Sequence, residues 1–159
     1  MKEVIFALAI LLGSTGISAA EGSFVAKDAG KQFIAAATDF GIKNMAAEQT
    51  TCRQKKYFTC QFDTAGNIVL VAAAENENAP IKSIGLYFVK DSDPTIFFAS
   101  VGALIGLLDP QVSMKDRQRI AKKLIDGAPK SGATELGSNY AIQSSSDRSV
   151  GIRVIAQFL

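Results

Sequence analysis

The chain has no histidine anywhere in its 159 residues. That removes the usual general base and the commonest metal ligand together. A serine nucleophile needs a base, and a Ser–Lys pair is the one route left open. No Ser-x-x-Lys or Gly-x-Ser-x-Gly stretch occurs, and no Gly-x-x-x-x-Gly-Lys phosphate loop. A glycosidase needs only two acids, but Asp63, Glu75, Glu77, Asp91, Asp93, Asp109, Asp126, Glu135 and Asp147 all fall where turns or caps are expected. Turns and caps are the ordinary home of carboxylates. Glu75-Asn76-Glu77-Asn78 lacks the ligand spacing of a calcium loop. The expectation is a non-catalytic protein with no cofactor and no metal site.

Charge of one sign is also scarce. The net charge is +2, too little for a nucleic-acid binder, which needs a concentrated basic face. Lys115, Arg117, Arg119, Lys122 and Lys123 do cluster, but no aromatic residue interleaves with them, so they read as a solvated helix face. Long apolar runs are missing as well. Val4 to Leu12 is too short to cross a bilayer and is broken by Gly13, Ser14 and Gly16. Ser18-Ala19-Ala20 then offers small residues for a signal peptidase. Residues 1–20 read as a removable signal peptide, with cleavage after Ala20 or, alternatively, Ala19. Residues 21–159 are left as one domain with the same net charge and no stable membrane span. The expected location is the periplasm or the secreted fraction.

Only two cysteines are present, in Thr50-Thr-Cys-Arg-Gln-Lys-Lys-Tyr-Phe-Thr-Cys-Gln-Phe62. Outside the cytosol an even count points to a disulfide. The C-x7-C spacing fits no C-x-x-C redox motif, and without histidine the pair cannot complete a zinc site. Phe58, Cys60 and Phe62 alternate with Thr59 and Gln61, which places Cys60 on the apolar face of a strand. Cys52 and Cys60 are therefore expected as a staple closing a loop of about nine residues, worth on the order of 2.5 kcal/mol by chain entropy.

The rest of the chain alternates in blocks. An amphipathic helix is expected over residues 23–40, with Phe33, Ile34, Ala37 and Phe40 on its inner stripe and Gly41 as its stop. Strand signals follow at 58–62, 68–74 and 84–88, joined by short turns. Asp93-Pro94 opens a helix through Leu108 that is apolar nearly all round, with Gly102 and Gly106 placed for close packing. Ser113 and Asp116 open another that ends near Gly127. Tyr140 and Ile142, a Ser-rich turn at 144–148, and alternation over 150–156 read as a closing hairpin. The fold class expected is α+β: an N-terminal helix, an antiparallel meander, two helices and a C-terminal hairpin, with the helices on one face of a single antiparallel sheet. In element order this resembles small secreted inhibitors built from helices on an antiparallel sheet, an analogy of architecture alone.

From these readings the expected function is an exported protein-binding module of the inhibitor or immunity-protein kind, taking another envelope or secreted protein as partner. Candidate contact residues are Arg53, Lys55, Lys56 and Tyr57 in the stapled loop and Glu75 and Glu77 in a second loop of opposite charge. The same charges would also serve simply to keep hairpin tips solvated. The alternative function is a carrier of a small apolar ligand, held between the sheet and the 96–108 helix. A third is an accessory protein that binds itself.

Overall fold

The computed structural model describes residues 24–130, 132–147 and 151–159; the expected signal peptide lies outside them. The elements run α1 (Ala29–Asp39), β1 (Ala47–Gln54), β2 (Phe58–Thr64), β3 (Ile68–Ala74), β4 (Ile81–Phe88), α2 (Pro94–Leu108), α3 (Met114–Gly127), β5 (Ala133–Leu136), β6 (Tyr140–Asp147) and β7 (Gly151–Phe158). All seven strands form one antiparallel sheet in the order β1-β2-β3-β4-β7-β6-β5. This is the expected α+β arrangement. Three details differ from expectation.

The first helix starts later than residue 23. Phe24 is buried and its carbonyl accepts from the Ile81 amide, while Val25 bridges Pro80, so the chain enters extended along the start of β4. Only after a 3-10 turn at Ala26–Asp28 does it become α-helical. The expected C-terminal hairpin is formed by β6 and β7, but β5 adds a third strand and the Ser-rich stretch is not its turn, since Ser144 to Ser146 are strand residues of β6. Finally, the acids Asp63 and Glu135 lie within β2 and β5 and Asp126 within α3, not in turns.

Alternation decides which face is buried. On β2 and β3, Phe58, Cys60, Phe62, Ile68, Leu70, Ala72 and Ala74 point inward, and β4 and β7 add Ile84, Leu86, Val154 and Ala156. The helices pack on that side. Asp93 caps α2 by accepting from the amides of Thr95 and Ile96 at 2.8 and 3.0 Å, and Pro94 stands at its first turn. Ser113 caps α3 through the Asp116 amide. Helix α1 stops with Gly41 at φ +88° and the Ile42 amide donating back to Ala37, a Schellman closure.

Helix α2 sits in the middle and is buried continuously from Ser100 to Leu108. Its two glycines are close-contact points. A Cβ on Gly102 would stand 2.3 Å from the Phe40 ring, and one on Gly106 would stand 2.2 Å from the Arg117 guanidinium. Arg117 is held there by donating to the carbonyls of Val112 and Pro110 at 2.8 and 2.9 Å. Ser100 is the odd member of this helix. Its hydroxyl is fully buried and has no hydrogen-bond partner among the described residues.

Two substitutions only two residues apart should therefore act in opposite directions. Gly102→Ala drives a methyl into the Phe40 ring and is expected to destabilise by roughly 1–3 kcal/mol. Ser100→Ala relieves an unsatisfied buried hydroxyl at little cost in volume and is expected to stabilise by about 1 kcal/mol. Urea denaturation of both variants checks the signs. A neutral Gly102→Ala would mean that Phe40 is not wedged against α2.

Candidate functional site

The sheet has one helix-covered face and one face that no element among the described residues covers. The open face can be written in cross-strand rows from the register. One row reads Arg53–Thr59–Ala73–Ser83–Gln157 across β1, β2, β3, β4 and β7; the next reads Thr51–Gln61–Val71–Gly85–Ile155; the third reads Glu48–Asp63–Val69–Tyr87–Arg153. Thr59, Gln61, Tyr87, Arg153 and Gln157 all lie on this face. The centre is apolar and half-buried, and the flanks are polar.

At one end of the sheet the two loops singled out from the sequence meet. Cys52 and Cys60 are direct cross-strand partners on β1 and β2, disulfide-bonded with Cα atoms 4.1 Å apart. Two rungs nearer the tip, Gln54 pairs with Phe58, so the loop proper is only Lys55, Lys56 and Tyr57; Arg53 is a strand residue. Cys60 is fully buried and packs in the core, while Cys52 is half-buried against it. Tyr57 is one of the few large apolar side chains left in solvent, 45% exposed, with the Lys56 ammonium 5.5 Å from its ring centre.

The second loop is tied to the first. Gln54 Nε2 donates to the Glu75 carbonyl at 3.2 Å, and Lys82 Nζ donates to Glu75 Oε1. Lys82 is free to do this because of an irregularity in register: Ala73 pairs with Ser83 and Ala74 with Ile81, so Lys82 has no opposite residue on β3. Between the loops and the end of β7 lies a depression of about 310 Å³ lined by Tyr57, Ala73, Lys82, Ser83, Gln157 and Phe158. Sequence reading missed Lys82 and Phe158, and did not foresee the bond from Gln54 to the second loop. Lys82 lay outside the strand expected at 84–88, which in fact begins at Ile81.

The electrostatics of this end differ from the opposed loops expected. Glu75 is paired with Lys82 and Glu77 with Lys27 at 3.5 Å. The hydrogen bond from Lys82, and then its charge, hold the Glu75 carboxyl below the ordinary glutamate value; the same contact raises Lys82. Arg53, Lys55 and Lys56 form no ion pair among the described residues. The acids of the second loop are thus compensated within the chain, and the tip is left with uncompensated positive charge.

Among the described residues there is no group of three or more His, Cys, Asp or Glu side chains able to hold a metal ion, and no helix long and apolar enough to cross a membrane. The disulfide is consistent with an oxidising, extracytoplasmic location. The space beside Gly102 and Gly106 on α2 is occupied from within the chain, by Phe40 and Arg117. No family model, characterised protein or solved structure matches the chain.

A depressed carboxyl contributes stability that is complete above its unfolded pKa and is lost as pH falls through the folded one. For Glu75 this window lies at and below the ordinary glutamate range, and its exposure to solvent keeps the effect on stability small. A carboxyl-detected NMR titration should show Glu75 below that range in the wild type and returned to it in Lys82→Met. Identical titration curves would mean the Glu75–Lys82 brace does not persist in solution.

Proposed function

We propose that this is an exported, non-catalytic protein-binding module, periplasmic or secreted, that recognises an acidic patch on another protein through the hairpin-tip end of its sheet. The observation that carries this reading is the exposed Tyr57 on a three-residue loop three rungs from a disulfide and braced sideways through Gln54 and Lys82. Tyrosine and arginine are the side chains that dominate binding energy at protein interfaces. Holding them rigid before contact reduces the ordering entropy lost on binding. The positive charge of Arg53, Lys55 and Lys56 around Tyr57 favours a negative partner and speeds its encounter. Binding of the inhibitor or immunity-protein kind needs nothing more than such a pre-set surface, which suits a chain without histidine, nucleophile motif or phosphate loop.

The mature chain, immobilised and exposed to an extract of the envelope or secreted fraction, should retain a partner in a salt-sensitive manner. Tyr57→Ala is expected to weaken that binding by about thirtyfold or more, the loss typical of an interface anchor. The double change Lys55→Glu with Lys56→Glu should slow association chiefly. Undiminished binding by both variants, with melting temperatures equal to wild type, would remove the hairpin tip from the function.

A further inference from the structure

The middle of the open face is arranged to meet a copy of itself, and we propose that it does: two chains stack open face to open face as a twofold dimer whose axis runs along the β3/β4 seam. The register supplies the argument. The third row reads, from β2 to β7, Asp63–Val69–Tyr87–Arg153, an acid and a base flanking two apolar residues. Strands β2 and β7 lie equally far from the β3/β4 seam, about 7 Å at ordinary strand spacing. A twofold axis along that seam exchanges β2 with β7 and β3 with β4. It therefore sets Asp63 of one copy opposite Arg153 of the other, twice, and Val69 opposite Tyr87, twice. An isologous interface must be self-complementary in this way.

The dimensions agree. Stacked sheets lie about 10 Å apart with strand directions within roughly 30°, and a short aspartate plus a long arginine together span that gap. Asp63 is exposed and makes no ion pair among the described residues. Arg153 is half-buried and oriented by donating from Nε to the Ser145 hydroxyl at 2.7 Å. A hollow lined by Gln61, Val69, Val71, Tyr87 and Val89 marks where apolar surface is open to receive the partner. Four strands by about six residues cover roughly 400 Å² on each copy, about 800 Å² in all, which is below the range of stable specific interfaces and in that of weak, transient ones. The dimer is therefore a reversible one. Because the axis follows the strands, both hairpin tips point the same way, and the assembly is bivalent for whatever the tips bind.

Sedimentation-velocity measurements on the chain from Glu21, from low micromolar to near-millimolar concentration, should show a monomer–dimer equilibrium. Asp63→Arg places like charges together and is expected to weaken dimerisation by at least about tenfold; Arg153→Asp should do the same, and the double exchange should restore it. Glu48→Arg, in the same row but at the sheet edge opposite the partner's uncharged Ser145, should leave it unchanged. Since Arg153→Asp also loses the Ser145 contact, Asp63→Arg is the deciding single variant. A wild-type monomer at every concentration would overturn the proposal. So would a dimer insensitive to Asp63→Arg, and a dimer that responds to Glu48 exchanged with Arg53 instead would overturn the assigned axis. Mass in solution is read without any partner, so this outcome and that of the hairpin-tip reading are separable.

Discussion

Helix α2 has no wet side from Ser100 to Leu108, and the rest of the architecture follows from having to cover it. The sheet lies beneath it, α1 flanks it where Phe40 enters against Gly102, and α3 flanks it where Arg117 enters against Gly106. Helices pack about 8–10 Å apart, so three side by side occupy roughly 30 Å. Seven strands at about 4.8 Å spacing occupy nearly the same width. The three helices among the described residues are thus used up in covering one face, and none of them remains for the other. The exposed face is a consequence of the buried helix.

An open sheet brings two liabilities, its face and its edges. The edges are managed in different ways. Strand β5 is only four residues long, and β1 carries Glu48 and Arg53 together with an irregularity at Thr50, whose hydroxyl donates to the Gln61 carbonyl. Short, charged and bulged edges resist pairing with other chains. The face is managed less fully. Polar residues lie along its flanks, but Val69, Val71, Tyr87 and Ile155 keep its middle apolar, so the one region left without cover is also the one with most to gain from acquiring it.

What could be read from the sequence follows the strength of each residue pattern. Runs with apolar alternation (58–62, 84–88) were legible because burial on one face forces a period of two, and 68–74 was legible as an unbroken, β-branched apolar run between turns. Both helix caps were legible because Asp93 and Ser113 satisfy amides the helix leaves free. Strand β5, Ala-Thr-Glu-Leu, carries no such pattern: it is a short edge whose Leu136 is 72% exposed on the open side. The Ser-rich stretch read as a turn because serine normally competes with regular structure. Here Ser144 is buried and bonded, donating to the Leu124 carbonyl at 2.6 Å and accepting from the Ala133 amide at 3.2 Å. Such bonds link residues far apart in sequence, and no local pattern carries them. The same holds for the candidate site. Arg53 to Tyr57 and Glu75 to Glu77 stood out separately, but their meeting, and the neutralisation of Glu75 and Glu77 by Lys82 and Lys27, depends on the fold.

The staple's position explains how an edge hairpin can present a rigid tip at all. Strand β1 has six of its eight residues exposed, so burial alone holds it weakly and its end would be expected to fray first. Cys60, by contrast, is fully buried on a strand paired on both sides. The disulfide ties the strand with least burial to a point fixed by the core, three rungs from the loop. Gln54 and Lys82 then restrain the tip from the side through Glu75, using contacts that cost no apolar surface. Rigidity at Tyr57 is in this sense borrowed from the interior. In the proposed binding the cystine need not touch a partner to matter, because what it would supply is a tip already ordered before contact.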